Sequence, residues 1–395
     1  MHDELFVRQT AIRLRLAGES VESICRTLKR SEAWFHKWWR RYLESGPEGL
    51  YDLTRGNRQV INRTPPHIER AVISVRRRLA ARATPQTRYS KIGAAQILAE
   101  LEALGYAPLP STRTIERIVT QAGLACPPLR LASRIARNEY PGPQPRDSNH
   151  VHQVDVVGPR YLKGCSTRYY FLVCKDVFDQ SVYIEFVTSR KMDVVMDFLV
   201  HAWQQLGLPE KVQFDNGREF CGFGHAARYF SRAIRLCLRL GVEAVFIPKG
   251  RPQRNGSVEN FNGWFQPLLL NRPFRRPGDV RRELGRLMMA VNEQHVHANL
   301  GGRTAAQHRR GKRLHKLPAN FTVAGEKLPI AVGKVTFIRL VSVQGNVSIL
   351  GQTFKIGKRL KFQYVRVTIY TRYRKLKVYH RGRIVKEFPY PLPRK

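Results

Sequence analysis

Three acids stand out in this chain by their surroundings. Asp155 lies in the apolar run HQVDVV, which alternates like a strand and is followed by Gly-Pro. Asp215 follows the short apolar run VQF and precedes Asn-Gly, a turn signal. Glu259 lies in NGSVENFN, where a basic loop punctuated by Gly and Pro, KGRPQRNG, runs into a helical pattern. A carboxylate at the end of an apolar strand is costly to bury unless a cation neutralises it. Three brought together would make a hard, oxygen-lined pocket of the kind that suits Mg2+ or Mn2+. Two such ions about 3.5–4 Å apart can stabilise both the attacking and the leaving oxygen of a displacement at phosphorus. Taken singly, each acid has a plain alternative as a turn or capping residue. Asp176 and Asp179 are near competitors, but KDVFD lies between two strand-like segments and reads as a turn.

The elements that would position these acids follow from periodicity. TRYYFLVCKD (167–176) and QSVYIEFVT (180–188) are apolar, aromatic and β-branched, and predict two antiparallel strands after the one carrying Asp155. Residues 191–207 predict a helix ended by Gly207, and 212–214 a short strand delivering Asp215. A second helix is expected over 223–241, with Arg228, Arg232, Arg235 and Arg239 in a helical-spaced row, and a last short strand over 242–248. The helix with Glu259 comes next; Asn255, four residues earlier, shares its face. Lys249, Arg251 and Arg254 in the preceding loop are suited to holding phosphates beside the acids.

Charge selects the partner. The 395 residues carry 69 Lys and Arg against 30 Asp and Glu, a formal +39, so a polyanion, most simply double-stranded DNA, is expected to bind. A basic structural protein of the nucleoid would share this charge, which therefore does not choose the activity. Apolar residues at 43% exclude bulk disorder. No apolar run approaches the roughly 20 residues that span a bilayer, and the N-terminus lacks a signal peptide's apolar region. The six cysteines form no C-x-x-C pair and read as reduced thiols of a cytosolic protein rather than a disulfide framework. His150/His152 and His295/His297 read as structural rather than as zinc ligands.

Seven segments are expected. Residues 1–51 hold three helices, with Gly18 as a stop and Ser20 and Ser31 as caps, in a helix-turn-helix pattern; Lys37, Arg40 and Arg41 are its candidate DNA contacts, while Trp34, Phe35 and Trp38 read as core. Residues 52–65 form a basic linker. Three further amphipathic helices are expected over 66–125, with Ser111 as a cap; the trio resembles a second helix-turn-helix module, which implies Arg113 and Arg117 on its reading helix. A Pro/Arg-rich linker at 126–150 leads to the core at 151–310. A further linker (311–331) precedes 332–395, where the period changes to two and a small basic β-barrel is expected, with Lys358 and Arg359 among its phosphate contacts. Either helical module could instead be plain helix packing.

The motifs DVVGP, FDNGREF and above all RPQRNGSVENFN resemble the core of DDE transposases of the bacterial insertion-sequence, integrase-core type, relatives of retroviral integrases. The resemblance covers nearly the whole chain. It implies an α/β RNase H-like core with a mixed sheet, flanked by helical modules and a C-terminal β-barrel, and Asp155, Asp215 and Glu259 as catalytic residues and ligands of two Mg2+ or Mn2+ ions. It also implies a homo-oligomer working on DNA, cleavage at element ends and joining of the freed 3′-hydroxyl to target DNA. The gap between Asp215 and Glu259 is longer than in compact retroviral members, and CGFG (221–224) is the expected place of the extra residues. NEQHVHANLGGRTAAQ (292–307) resembles the tract that follows the catalytic helix, with Val296 and Ala305 where prolines are common. Two alternatives stay open: a DNA-binding repressor or domesticated protein with the core as scaffold, and a metal-dependent nuclease without strand transfer.

Overall fold

A computed structural model describes residues 4–52, 64–125, 140–221 and 229–392. The chain divides into two units, Met1–Arg63 and Thr64–Lys395. In the first, α1 (Glu4–Leu16), α2 (Val21–Leu28) and α3 (Glu32–Ser45) enclose Ala11, Ile12, Ile24, Phe35 and Trp38. The expected caps form: Ser20 accepts from the Ser23 amide and Ser31 from the Trp34 amide, each at 3.2 Å. Arg8 is buried, donating to the Leu50 carbonyl at 2.9 Å with its guanidinium 3.7 Å from the centre of the Trp38 ring. Most of the basic linker at 52–65 lies outside the described residues.

The second unit opens with α4 (Pro66–Ala81), α5 (Ala94–Ala103) and α6 (Thr112–Gln121), packed around Ile68, Val72, Leu79, Ile97, Leu101 and Ile115. Ser111 caps α6 through the Thr114 amide at 3.1 Å. Much of the 126–150 linker again lies outside the described residues. Then come β1 (Val151–Arg160), β2 (Tyr169–Asp176), β3 (Val182–Val187), α7 (Met192–Leu206), β4 (Lys211–Phe214) and α8 (Arg218–Cys221). After them follow α9 (Arg232–Arg239), β5 (Glu243–Phe246), α10 (Gly256–Leu270) and α11 (Pro277–Met289). Short pieces close the core: β6 (Val296–His297), β7 (Arg303–Thr304) and α12 (Ala305–Arg309). The helix expected over 223–241 is shorter where described, because Ser231 caps it by accepting from the Ile234 amide at 3.2 Å. Residues 222–228, with most of CGFG and Arg228, lie outside the described residues.

The C-terminal strands are β8 (Lys334–Leu340), β9 (Asn346–Ile349), β10 (Gln352–Lys355), β11 (Tyr364–Tyr370), β12 (Lys375–His380) and β13 (Arg383–Pro389). They differ from the separate barrel expected for 332–395. β8 pairs parallel with β5, Val245 opposite Thr336, so one sheet runs β13-β12-β11-β8-β5-β4-β1-β2-β3. β9 and β10 form a hairpin of their own, and the pairings among the described residues do not close a ring. The physical reason is the buried edge of β5: Ala244, Val245 and Phe246 need a strand beside them, and five consecutive buried residues in β8 suit a central strand.

Each face of the sheet is covered. One core holds Phe198, Trp203, Phe214, Phe246, Phe337 and Val367; the other holds Val157, Phe171, Ile184, Phe265 and Leu284. The arginine row of α9 does not face solvent as a row. Arg232 pairs with Asp193 and donates to the Val323 carbonyl, Arg235 donates to the Leu328 carbonyl at 2.9 Å, and Arg239 pairs with Glu326. These contacts lay the segment 323–328 along the helix. Asp176 and Asp179 are fully buried against Arg309 of α12, at 2.8 and 2.6 Å, and so are bound up in a structural ion cluster. The α4–α6 module is seated on the core: the Tyr89 hydroxyl donates to Glu283 of α11 at 2.9 Å, Arg88 donates to the same carboxylate at 3.0 Å, and His295 bonds the Tyr89 carbonyl at 2.6 Å.

Candidate active site

The sheet register brings two of the acids level. β1 and β4 run parallel with Val151 opposite Lys211 and Gln153 opposite Gln213. Two residues further along each, on the same face by strand alternation, come Asp155 and Asp215. The glutamines below them hold the start of α10. Gln153 accepts from the Val258 amide at 3.0 Å, while Gln213 donates to the Arg254 carbonyl at 2.8 Å and to the Asn255 side chain at 3.2 Å. Asn255 donates to the Val154 carbonyl at 3.1 Å, and Lys175 to the Ser257 carbonyl at 3.0 Å. Glu259 is thereby delivered in the first turn of a pinned helix, and one turn on Asn262 donates to Asp155 at 2.6 Å.

Electrostatics report the convergence. Burial raises the Asp155 carboxyl above its ordinary range, with Glu219 adding to it. Asp215 is pushed up to about 6, first by burial and then by Glu219 and Asp155. Glu259 is raised by burial and by the charges of Asp155 and Asp215. Glu219 is thus a fourth acid of the cluster. Its Oε1 and Asp215 Oδ1 lie 2.8 and 2.9 Å from the point a Gly217 Cβ would occupy, so a side chain there would push the two carboxylates from their places. Sequence reasoning passed over Glu219, although it stands four residues after Asp215 in FDNGREF. Arg190 lies 3.9 Å from it.

Oxygen-only donors that raise one another's pKa fit a hard divalent cation, which would remove the repulsion. Among the described residues the buried Asn262 Oδ1 beside Asp155 meets no hydrogen-bond donor, a further polar atom unsatisfied at this spot. Among the described residues no three acid, Cys or His side chains are already drawn into a metal cage. Asp155 Oδ1 accepts from the Val156 amide at 2.9 Å and Asp215 Oδ1 from the Gly217 amide at 2.8 Å, so each carboxylate is fixed by its own backbone.

An open cleft beside Asp215 is walled by Arg168, Tyr170, Arg190, Lys191 and Glu219. Arg168, Arg190 and Lys191 are exposed; these were missed in the sequence, where TSRK (188–191) was the available signal. Of the expected DNA contacts in this region, Lys249 and Arg251 are exposed in the loop before α10. Arg254 is placed differently, with its guanidinium 4.2 Å from the Tyr140 ring centre and 5.3 Å from that of Tyr364. Lys358 and Arg359 are exposed on a short turn between β10 and β11, and Arg113 and Arg117 are exposed on α6. On α3, Lys37 and Arg40 are exposed, whereas Arg41 stacks over Trp38 and donates to the Tyr51 carbonyl at 2.7 Å.

Two segments of the chain match known families. Residues 145–252 match the integrase core domain family, a segment with Asp155 and Asp215 that ends before Glu259, and residues 4–51 match the homeodomain-like domain family. Among solved structures, the chain is similar to the HTLV-2 integrase catalytic core domain in complex with magnesium, at 22% identity over 42% of this chain and 99% of that one, with a TM-score of 0.33. It is also similar to a chain of the simian T-cell lymphotropic virus intasome in complex with the PP2A regulatory subunit B56 gamma, at 19% identity over 70% and 88% of the two chains, with a TM-score of 0.37. An integrase core domain supports polynucleotidyl transfer as the general chemistry. The chain joins a homeodomain-like domain to an integrase core domain, the arrangement of the insertion-sequence transposases of the integrase-core type.

Proposed function

We propose that the chain is a transposase that binds the ends of a mobile element, cleaves at their 3′ ends and joins the freed 3′-hydroxyl to target DNA. The observation that carries this reading is the parallel register that sets Asp155 and Asp215 level, with Glu259 held above them by Gln153 and Gln213. Two Mg2+ or Mn2+ ions held by Asp155, Asp215 and Glu259 would supply the charge that stabilises the oxygens entering and leaving phosphorus. The chain's own residues supply position. Strand-borne aspartates and a pinned helix keep the acids fixed, which is where most of the rate in such displacements originates. Arg168, Arg190 and Lys191 on one side, and Lys249 and Arg251 in the loop before α10, are exposed cations suited to holding the phosphates of the strand being cut. In the first step the oxygen of water bonds to phosphorus and the element's 3′-oxygen leaves, taking a proton. In the second that 3′-hydroxyl attacks a target phosphate and displaces the target's own 3′-oxygen, so no bond to protein forms.

Sequence reading falls to the two helical modules, with α3 and α6 presenting Lys37, Arg40, Arg113 and Arg117. Two ends must be joined at once while one cluster of acids serves one strand, so the working unit is a homo-oligomer on DNA, held apart without DNA by the +39 charge. No helix among the described residues is long and apolar enough to cross a membrane; the proposed place of work is DNA in the bacterial cytoplasm, at the nucleoid. The test uses the DNA that flanks the gene on either side, searched first for inverted repeats. Asp155→Asn, Asp215→Asn and Glu259→Gln are each expected to abolish cleavage and joining while end binding stays within about twofold, because affinity is spread over many basic residues. Cleavage without joining by the unaltered protein would make it a nuclease, binding without either a repressor. Full joining by any one variant would remove that acid from the site.

A further inference from the structure

Arg339 stands on β8, outside the segment that matches the integrase core, yet it reaches the turn that carries Asp215. It is 7% exposed, and among the described residues none of its hydrogen-bond partners is a carboxylate. Its guanidinium donates to the carbonyls of Ile247 and Ile338, both at 2.9 Å, to that of Ser348 at 3.3 Å, and to the side-chain oxygen of Asn216 at 2.9 Å. Asn216 in turn donates to the Ile247 carbonyl at 2.6 Å, closing a triangle of Arg339, Asn216 and Ile247. The Ile247 amide donates to the Phe214 carbonyl at 3.1 Å. Asp215 is therefore bracketed on both sides: Phe214 is tied to Ile247 through the backbone, and Asn216 is tied to Ile247 and Arg339 through its side chain.

A buried guanidinium without a counter-charge is costly, and a fork of donors satisfied by carbonyls is a rigid one. An apolar residue would fill the same position at less expense if β8 served only to cover β5. We propose that Arg339 is a positioning residue for Asp215, so that the C-terminal strands complete the active site and do not merely add DNA contacts. The proposal rests on the transposase reading for its activity arm, and carries a second arm that needs no activity.

Arg339→Met removes the fork, and Asn216→Ala removes its side-chain target on the partly exposed turn. Each is expected to slow single-turnover end cleavage by about 10- to 100-fold, the order associated with a displacement near 1 Å, with end-DNA Kd within about twofold. Arg339→Lys keeps charge without the fork and should fall between. The double variant Arg339→Met/Asn216→Ala should be no slower than the worse single one, because both break one network. In the second arm, hydrogen exchange at the Gly217 and Ile247 amides should speed up in Arg339→Met while exchange in α7 does not. A rate loss matched by equal losses in DNA affinity and thermal midpoint would overturn the proposal, as would additive losses in the double variant or unchanged exchange at Gly217. An unaltered protein that binds ends without cutting them would instead sink the transposase reading, leaving the exchange result to decide on Arg339.

Discussion

Gln153 offers the sharpest test of how the acids are brought together. It is 7% exposed, lies one pleat below Asp155, and its side-chain oxygen accepts the Val258 amide at 3.0 Å in the first turn of α10. That amide belongs to the set of helix-start donors with no partner inside the helix. Gln153→Leu keeps the volume but leaves a buried N–H without an acceptor, at a cost of about 1–3 kcal/mol. The helix start can recover part of this only by tilting toward another acceptor, and Glu259 sits one residue along. A shift near 1 Å corresponds to a rate loss of about 100-fold. Urea denaturation should show the midpoint lowered with the slope unchanged, and single-turnover cleavage should fall far more than the folded fraction does. Gln213→Leu, which frees the Arg254 carbonyl and the Asn255 side chain from the other strand, should behave alike. A Gln153→Leu protein of unaltered stability and rate would refute the view that the two glutamines set the height of Glu259.

Two further outcomes are expected. Burial, with Lys91 and Arg82 adding to it, holds the His295 imidazole down to about 4 against an ordinary 6.5. A histidine kept neutral in the fold contributes stability that is complete above about 6.5 and is lost as pH falls toward 4, so the seat of the α4–α6 module should loosen in that window; limited proteolysis between residues 82 and 93 at pH 5 and pH 7.5 checks it, and a His295→Gln protein with the same pH response would exclude His295 as the source. Removing residues 1–63 should lower discrimination between element ends and random DNA while non-specific, salt-sensitive binding persists; an unchanged footprint on the ends would show that the first unit reads nothing.

Much of this was legible in the chain because it is local. Ser20, Ser31 and Ser111 cap where a short polar residue precedes an apolar period, and the strands that carry and follow Asp155 form where expected, although only β3 alternates in burial while β2 is buried throughout. The acids also announced themselves, and a finer signal lay beside them: Gln-x-Asp occurs at both 153–155 and 213–215, the two-residue spacing that places supporter and acid on one face. What was not legible is non-local. Nothing in KVTFIRL says that its neighbour is β5, because a strand's own pattern fixes which face is buried and not which edge it joins. Likewise Arg232, Arg235 and Arg239 have the spacing of a basic stripe, and only the course of 321–328 makes them fasteners. Glu219 needed the Gly217 turn to bring it back toward Asp215.

Under the proposed function, the seating of α4–α6 on α11 and β6 has a consequence for where DNA would be cut. Tyr89, Arg88 and His295 tie that module to the same body that holds the acids, so the span from the exposed arginines of α6 to Asp155 is a fixed length. Duplex DNA advances about 3.4 Å per base pair, so a fixed length is a fixed number of base pairs. On the proposed transposase reading the module would work as a ruler: lengthening the DNA between its binding sequence and the natural cut should move the cut to a different nucleotide and leave affinity alone. Element ends read this way would have their cleavage position written into the protein's geometry, with no need for the sequence at the cut itself to be recognised.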